Sequence, residues 1–248
     1  MGEDHRIPVT PRLAATVLVV RDDPFEVLMM ERNARMLFAS ALVFPGGTVD
    51  GADFSEHWLP LVDGASGLEQ EERALRIAAA RETFEEAGIL LAESGAFAPD
   101  IPRSMPFIDV VRNAGVRLGL GGLHKIGHWI APEVAARRFD THFYVAGVSA
   151  DTIPVCDGGE SVALEWIAPA RALELAEAGS RNIIFPTRMN LKRLAESHSV
   201  AEALEAARRP VYTVLPVIEA TRDGHIVRIP AEAGYGTTCD RPHPDVTR

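Results

Sequence analysis

The sequence predicts an α+β protein, and three observations carry that reading. Short β-branched and apolar runs, broken by turn residues, fill the N-terminal part. A charged stretch ending at Gly88 has the start and stop signals of a helix. Further apolar runs in the C-terminal half alternate with helices that open on proline or serine.

Taken in order, Ala14–Val20 and Phe25–Arg32 read as a strand pair joined by the turn Arg21-Asp22-Asp23-Pro24. A short strand, Ala41–Phe44, then runs into Pro45-Gly46-Gly47. From Thr48 to Gly67 the chain is polar, acidic and glycine-containing, with Trp58, Leu59 and Leu61 as its concentrated apolar residues. That stretch is expected to be an inserted loop or short helix. Ser66-Gly67-Leu68-Glu69 matches a capping box for the next helix, and Gly88 suits its stop because glycine accepts left-handed geometry.

A loop-rich middle follows, and then strands at Trp129–Ala131, Phe139–Val148 and Ser161–Ile167. Pro169 opens a helix reaching about Ala178. Pro186 opens another, and Ser199 caps a third over Val200–Arg208, so an extra helical segment covers about 186–208. Val211–Glu219 and His225–Ile229 read as a terminal hairpin around Arg222-Asp223-Gly224, and the tail from Ala231 is expected to be poorly ordered.

With 248 residues and 47% hydrophobic content, the chain can bury one sizeable core, so a single domain over 1–248 is expected. Lys and Arg number 25 against 35 Asp and Glu, and the formal charge of -10 repels nucleic acid on average. Cys156 and Cys239 lack any metal-ligand spacing and read as unpaired thiols of a reducing compartment. The segment MGEDHRIPVTPR has no apolar leader, and no run approaches the length of a membrane span, so the expectation is a cytoplasmic protein without membrane partners. The oligomeric state is open, with a homodimer among the alternatives.

The densest chemical signal is Arg81–Gly88, RETFEEAG. At about 100° per residue, Glu82, Glu85 and Glu86 share one helix face, while Ile77, Ala80, Phe84, Ala87 and Leu91 lie opposite. Three neighbouring carboxylates repel one another unless cations compensate, and hard oxygen ligands suit Mg²⁺ or Mn²⁺. A solvated acidic face is the ordinary explanation of such a pattern. The upstream Phe44-Pro45-Gly46-Gly47 turn argues otherwise, since its unhindered backbone can approach a metal or phosphate.

FPGG followed by RETFEEAGI resembles the Nudix hydrolase family, whose box places a glycine and a glutamate ahead of R-E-apolar-x-E-E-x-G-apolar. Arg81, Glu82, Glu85, Glu86, Gly88 and Ile89 are in register, while Thr83 stands where the family prefers an apolar residue. Counting from Gly47, Asp53 occupies the first glutamate's position, and its distance to Arg81 exceeds the family spacing by about twenty residues, an insertion at about 51–70. Either Asp53 substitutes for that glutamate, or the role is lost or passes to Glu69 or Glu72. FPGGTVDGADFSEHW, RRFDTHFYVA and FPTRMNLKRLAESHSVAEAL are similar to the animal peroxisomal branch of the family, which cleaves coenzyme A and carries such an insertion.

The resemblance implies a Nudix-type α/β/α sandwich with a mixed sheet, plus the extra C-terminal helical segment. It implies Mg²⁺- or Mn²⁺-dependent hydrolysis of a diphosphate linkage in a small nucleotide-derived substrate. Coenzyme A or acyl-CoA comes first, giving 3′,5′-ADP and a phosphopantetheine product. Alternatives are NADH, ADP-ribose or another nucleoside diphosphate derivative, and, of another class, a non-catalytic nucleotide sensor. By the same resemblance Glu85 and Glu86 are principal metal ligands, Glu82 is a ligand or base, and a carbonyl at Gly46 or Gly47 completes a coordination shell. Arg81 pairs with a box carboxylate, and Glu160, in GGESVALEW, is a ligand or general base.

Outside the box, Arg32 and Arg138 are candidates for binding the anionic substrate, each weighed against a plain charged strand end. His124 and His128 are four apart, but the surrounding glycines argue against a helix that would align them on zinc.

Overall fold

A computed structural model describes residues 9–33, 40–156, 158–159, 161–222 and 224–240. The first half contains strands β1 (Arg12–Arg21), β2 (Glu26–Arg32), β3 (Leu42–Val43), β4 (Gly46–Thr48) and β5 (Val62–Asp63), helix α1 (Gln70–Ala87), strands β6 (Leu90–Ala92) and β7 (Gly95–Phe97), and helix α2 (Phe107–Ala114). Strands β8 (Leu118–Gly119), β9 (His124–Ile130), β10 (Phe139–Gly147) and β11 (Ser161–Ile167) follow. Helices α3 (Pro169–Glu177), α4 (Phe185–Leu194) and α5 (Val200–Ala206) lead to strands β12 (Thr213–Val214), β13 (Val217–Thr221), β14 (Gly224–Arg228) and β15 (Cys239–Asp240).

The main sheet runs β11-β2-β1-β10-β9-β12, with β3 on β2 and β4 on β1. It is mixed, because β1 pairs parallel with β10 and β12 with β9 while the other pairs are antiparallel. Alternation along β1 sorts its side chains. Ala15, Val17 and Val19 join Ile77, Ala80 and Phe84 of α1 in one core, whereas Leu18 and Val20 join Ala172, Met189, Leu191, Leu194 and Ala203 of α3, α4 and α5 in the other. The sheet is thus clasped between helices, the α/β/α arrangement expected, and the predicted helical segment forms part of the second layer.

One detail of β1 positions the site. Val20 and Arg21 pair with β2, but Ala14–Thr16 pair with β4. The strand changes partner halfway, and Pro45 fills the gap by accepting from Val17 N–H at 2.9 Å. The glycine turn is thereby wedged against β1 in the middle of the sheet, over α1.

Several local expectations change. Ser66 does not cap α1: Ala65–Leu68 close a separate turn, Leu68 N–H on Ala65 O at 3.1 Å, and Glu69 is the N-cap residue, extended and without a side-chain cap bond. Gly88 does end the helix, with φ 70° and its N–H on Phe84 O at 2.8 Å. The insertion is not a plain loop. It forms two short 3-10 turns, Gly51–Phe54 and Glu56–Leu61, pinned by buried Trp58, which donates to Ala52 O and packs on Phe107 at 5.6 Å. Burial of such a ring stabilises by about 1.5–3 kcal/mol.

Phe107 belongs to α2, and the supposedly loop-rich middle also supplies three strands of a second sheet, β5-β8-β6-β7, whose β5 comes from the insertion. The strands there are two or three residues long, too short to show alternation. The terminal hairpin is narrower than expected, β13 with β14, since Thr213–Val214 join the main sheet instead. Asp223 lies outside the described residues. The tail as far as Asp240 is ordered against the core: Tyr235 is buried, accepts from Trp129 Nε1 at 3.0 Å and stacks under Arg193. Among the described residues no helix is long and apolar enough to cross a membrane.

Candidate active site

The site is built where α1 passes under β4. Helical spacing gathers Glu82, Glu85 and Glu86 toward the glycine turn, while Ile77, Ala80, Phe84 and Ala87 are buried in the core. Glu86 is itself buried, 3% exposed, and its Oε2 accepts from Gly46 N–H at 2.8 Å. Gly47 lies over Glu82 so closely that a Cβ there would stand 2.5 Å from the carboxylate, and one at Gly46 would stand 2.5 Å from Ala15 O. The missing Cβ lets Gly47 approach a carboxylate and Gly46 approach the backbone of β1.

Arg81 organises the cluster. Its guanidinium has five N–H donors, and all are engaged: Nε and Nη2 on Asp53, Nη1 on Glu82 and Glu85, and Nη2 also on Thr48 O, at 2.8–3.2 Å. Burial alone would lower its pKa, but Asp53, Glu82 and Glu85 outweigh that and raise it further. Arg81 is therefore a fixed cation that orients carboxylates rather than a group free to reach substrate. Asp53 is the insertion residue that meets it, 1% exposed and also accepting from Asp50 N–H at 2.9 Å. Glu72 is turned elsewhere, to Lys125, Arg76 and Tyr144, and exposed Glu69 marks the helix start.

Glu85 differs from its neighbours, its side chain being 39% exposed. Burial holds its carboxyl above the usual carboxylate range, Arg81 opposes this, and the charges of Asp53 and Asp50 add to the rise. A carboxylate whose charged form is disfavoured by burial, and further by neighbouring negative charge, gains from a cation. The donor set fits a hard divalent ion: three convergent carboxylates, one shielded and one open, beside a backbone whose missing Cβ leaves room.

Other predicted residues separate. Arg32 lies on the opposite face of the sheet, in the wall of a cavity of about 270 Å³ that borders Gly46, Gly47 and Thr48. Apolar side chains dominate that cavity, among them Phe44, Trp129, Phe139, Phe143 and Phe185. Arg138 corrects the expectation of substrate binding: it is 8% exposed and donates to Ala131 O and Val9 O, tying two backbone segments together. Its neighbour Arg137 lines the cavity instead. Glu160 lies outside the described residues.

Two features were missed. Thr83 is fully buried and its hydroxyl donates to Ala79 O at 2.8 Å, which lets a polar residue occupy an apolar position. Arg103 donates to Glu85 O and Val155 O, a cation over the C-terminal end of α1. Nothing in its local sequence marks it, since the contact crosses from a separate loop.

Residues 63–194, just over half the chain, match the family model described as the NUDT19 Nudix domain. The acyl-coenzyme A diphosphatase NUDT19 of Gallus gallus is 29% identical over 281 residues, covering 85% of this chain and 73% of that protein. Its Homo sapiens namesake is 25% identical over 271 residues, covering 85% and 72%. A NUDIX hydrolase crystal structure from Alicyclobacillus acidocaldarius superposes with a TM-score of 0.67 at 28% identity, covering 79% of this chain and 96% of that one. Together with the carboxylate helix beneath the glycine turn, these matches place the chain in the NUDT19 Nudix domain family, as a Nudix hydrolase that works with divalent metal ions.

Proposed function

We propose that this chain hydrolyses the diphosphate linkage of coenzyme A and acyl-CoA, with Mg²⁺ or Mn²⁺, to 3′,5′-ADP and (acyl-)4′-phosphopantetheine. The observation that carries the substrate choice is the apolar cavity adjoining Gly46–Thr48, whose other side faces the carboxylates. A substrate with a diphosphate and a long, weakly polar arm matches that division, since apolar walls reward an acyl or pantetheine chain. NADH and ADP-ribose carry a sugar or nucleoside at both ends and would leave their hydroxyls unpaired against Phe44, Trp129 and Phe143. The coenzyme A activity in the names of the relatives supports the same choice.

Glu82, Glu85 and Glu86 would hold the ions, with a carbonyl of Gly46 or Gly47 as a further ligand. Bound divalent ions supply charge neutralisation at the phosphate oxygens and activation of water. Arg81 holds Glu82 and Glu85 toward one another, and Asp53 holds Arg81. Glu86 is fixed through Gly46 N–H. Arg32 and Arg137, on the cavity wall, would meet anionic groups of the substrate. Glu160 keeps its proposed role as ligand or base by resemblance. Two free thiols, Cys156 and Cys239, accord with a reducing, cytoplasmic setting.

The test is a screen of coenzyme A, acyl-CoA, NADH and ADP-ribose with Mg²⁺ and with Mn²⁺, products identified by mass. Coenzyme A or an acyl-CoA is expected to be the fastest substrate. Turnover of ADP-ribose far above coenzyme A would overturn the choice.

A further inference from the structure

A second group of ligand-type side chains sits on the same sheet face, away from the glutamates. The sheet register makes a row across five strands: Gly47 opposite Ala15, Ala15 opposite His142, His142 opposite His128, and His128 opposite Thr213. Asp140, two residues before His142 on β10, points to the same face. His128, Asp140 and His142 bring one ligand atom each within 4.8 Å of the others. We propose that His128, Asp140 and His142 form a transition-metal site, of the zinc class, separate from the carboxylate site on α1.

The donor set differs in kind from the glutamates. Two imidazoles and one carboxylate favour zinc and its first-row neighbours, whereas oxygen-only donors favour Mg²⁺. Zn–N bonds of about 2.0–2.1 Å in a tetrahedron put ligand atoms about 3.3 Å apart. His142 Nε2 stands 3.4 Å from Asp140 Oδ1, at that spacing already. His128 Nε2 stands 2.5 Å from the same oxygen, a hydrogen bond that must open by less than about 1 Å to admit an ion.

The surroundings suit ligation. On its far side, His128 Nδ1 lies 2.7 Å from Thr213 Oγ1, and a hydroxyl can donate to the ring or accept from it. When Nε2 gives up its proton to bind an ion, Nδ1–H then has an acceptor waiting, the arrangement that fixes a metal-bound imidazole. His142 is buried, 7% exposed, and its ring lies 4.0 Å from that of His128, so the two imidazoles are held side by side. Lys125, the nearby cation, is drawn away by Glu72 at 2.5 Å. Side-chain exposures of 18% for His128 and 24% for Asp140 leave solvent access, so water can take a fourth position.

The test uses the full chain, dialysed against chelator and returned to excess Mg²⁺ so that the carboxylate site is occupied. Titration with Co²⁺, read by its visible ligand-field absorption and by displacement with Zn²⁺, is expected to show one site of four- or five-coordinate intensity. Asp140→Asn and His128→Gln, both close in shape to the native side chains, are expected to weaken it by about tenfold or more. Circular dichroism and thermal melting check that each variant is folded. Glu85→Gln with Glu86→Gln is expected to leave the band unchanged. Absence of the band in wild type, its persistence at full strength in folded Asp140→Asn and His128→Gln, or its loss in the glutamate variant would each overturn the site. None of these readouts depends on turnover, so they stand apart from the substrate screen.

Discussion

The two faces of the sheet beside Gly46–Thr48 are built on opposite principles. On the α1 face charged groups are held by ion pairs and backbone bonds: Arg81 directs all its donors to Asp53, Glu82, Glu85 and Thr48 O, and Glu86 accepts from Gly46 N–H. On the far face an apolar cavity is walled by Phe44, Trp129, Phe143 and Phe185. On the proposed reading, the first face sets where charge is stabilised and the second which uncharged groups of the substrate are accommodated. Changes on the first should therefore act on the chemical step, and changes on the second on substrate choice.

The sharpest way to break this contrast is Glu86→Gln, which keeps the shape but removes the buried charge of a proposed metal ligand. Loss of several kcal/mol of charge stabilisation predicts a fall in kcat of about a hundredfold or more, equal for every substrate. A fall confined to one substrate would blur the distinction between faces. Arg81→Lys is next: one ammonium cannot span Asp53, Glu82, Glu85 and Thr48 O, so stability is expected to drop by about 3 kcal/mol in urea denaturation, with lower kcat.

On the other face, Ala135→Trp places bulk at the cavity rim. It is expected to raise KM for long acyl-CoA by about tenfold while leaving kcat for free coenzyme A near wild type. Equal effects on both compounds would show that the cavity does not take the acyl chain. The smallest effect concerns the flank of α1. Burial would raise the Glu72 carboxyl, but Lys125 and Arg76 outweigh it and hold the pKa below the ordinary value. Glu72 therefore contributes stability above the unfolded carboxylate pKa and loses it as pH falls through the folded one. Glu72→Gln is expected to cost about 1 kcal/mol near neutral pH, a difference that disappears in acid, as measured by urea denaturation at both.

The same contrast runs through what could be read in advance. Glu82, Glu85 and Glu86 were legible because a helix repeats on a short, known period, and Gly88 because a left-handed stop demands glycine. The Gly46-Gly47 turn was legible as punctuation, though its seat over Glu82 was not. The cavity was illegible: its wall draws on β1, β4, β9, β10, α4 and the loop carrying Arg137, which are distant in sequence. That Arg138 ties backbone segments while Arg137 lines the cavity was illegible too, because neighbours at a strand entrance point to different surroundings and a charge pattern does not say which turns inward.

By itself, then, the sequence determined whatever depends on local period and backbone chemistry: the long strands β1, β2, β10 and β11, the carboxylate face of α1, the end at Gly88, and the Ser199 cap, whose hydroxyl accepts from Glu202 N–H. Tertiary structure decided what depends on long-range contact. It brought Asp53 across the insertion to Arg81, folded Trp58 onto α2, ordered the tail through Tyr235 and set His142 beside His128. The physical reason is that burial and charge pairing reward proximity in space, and a chain of 248 residues can supply that proximity from almost any separation in sequence.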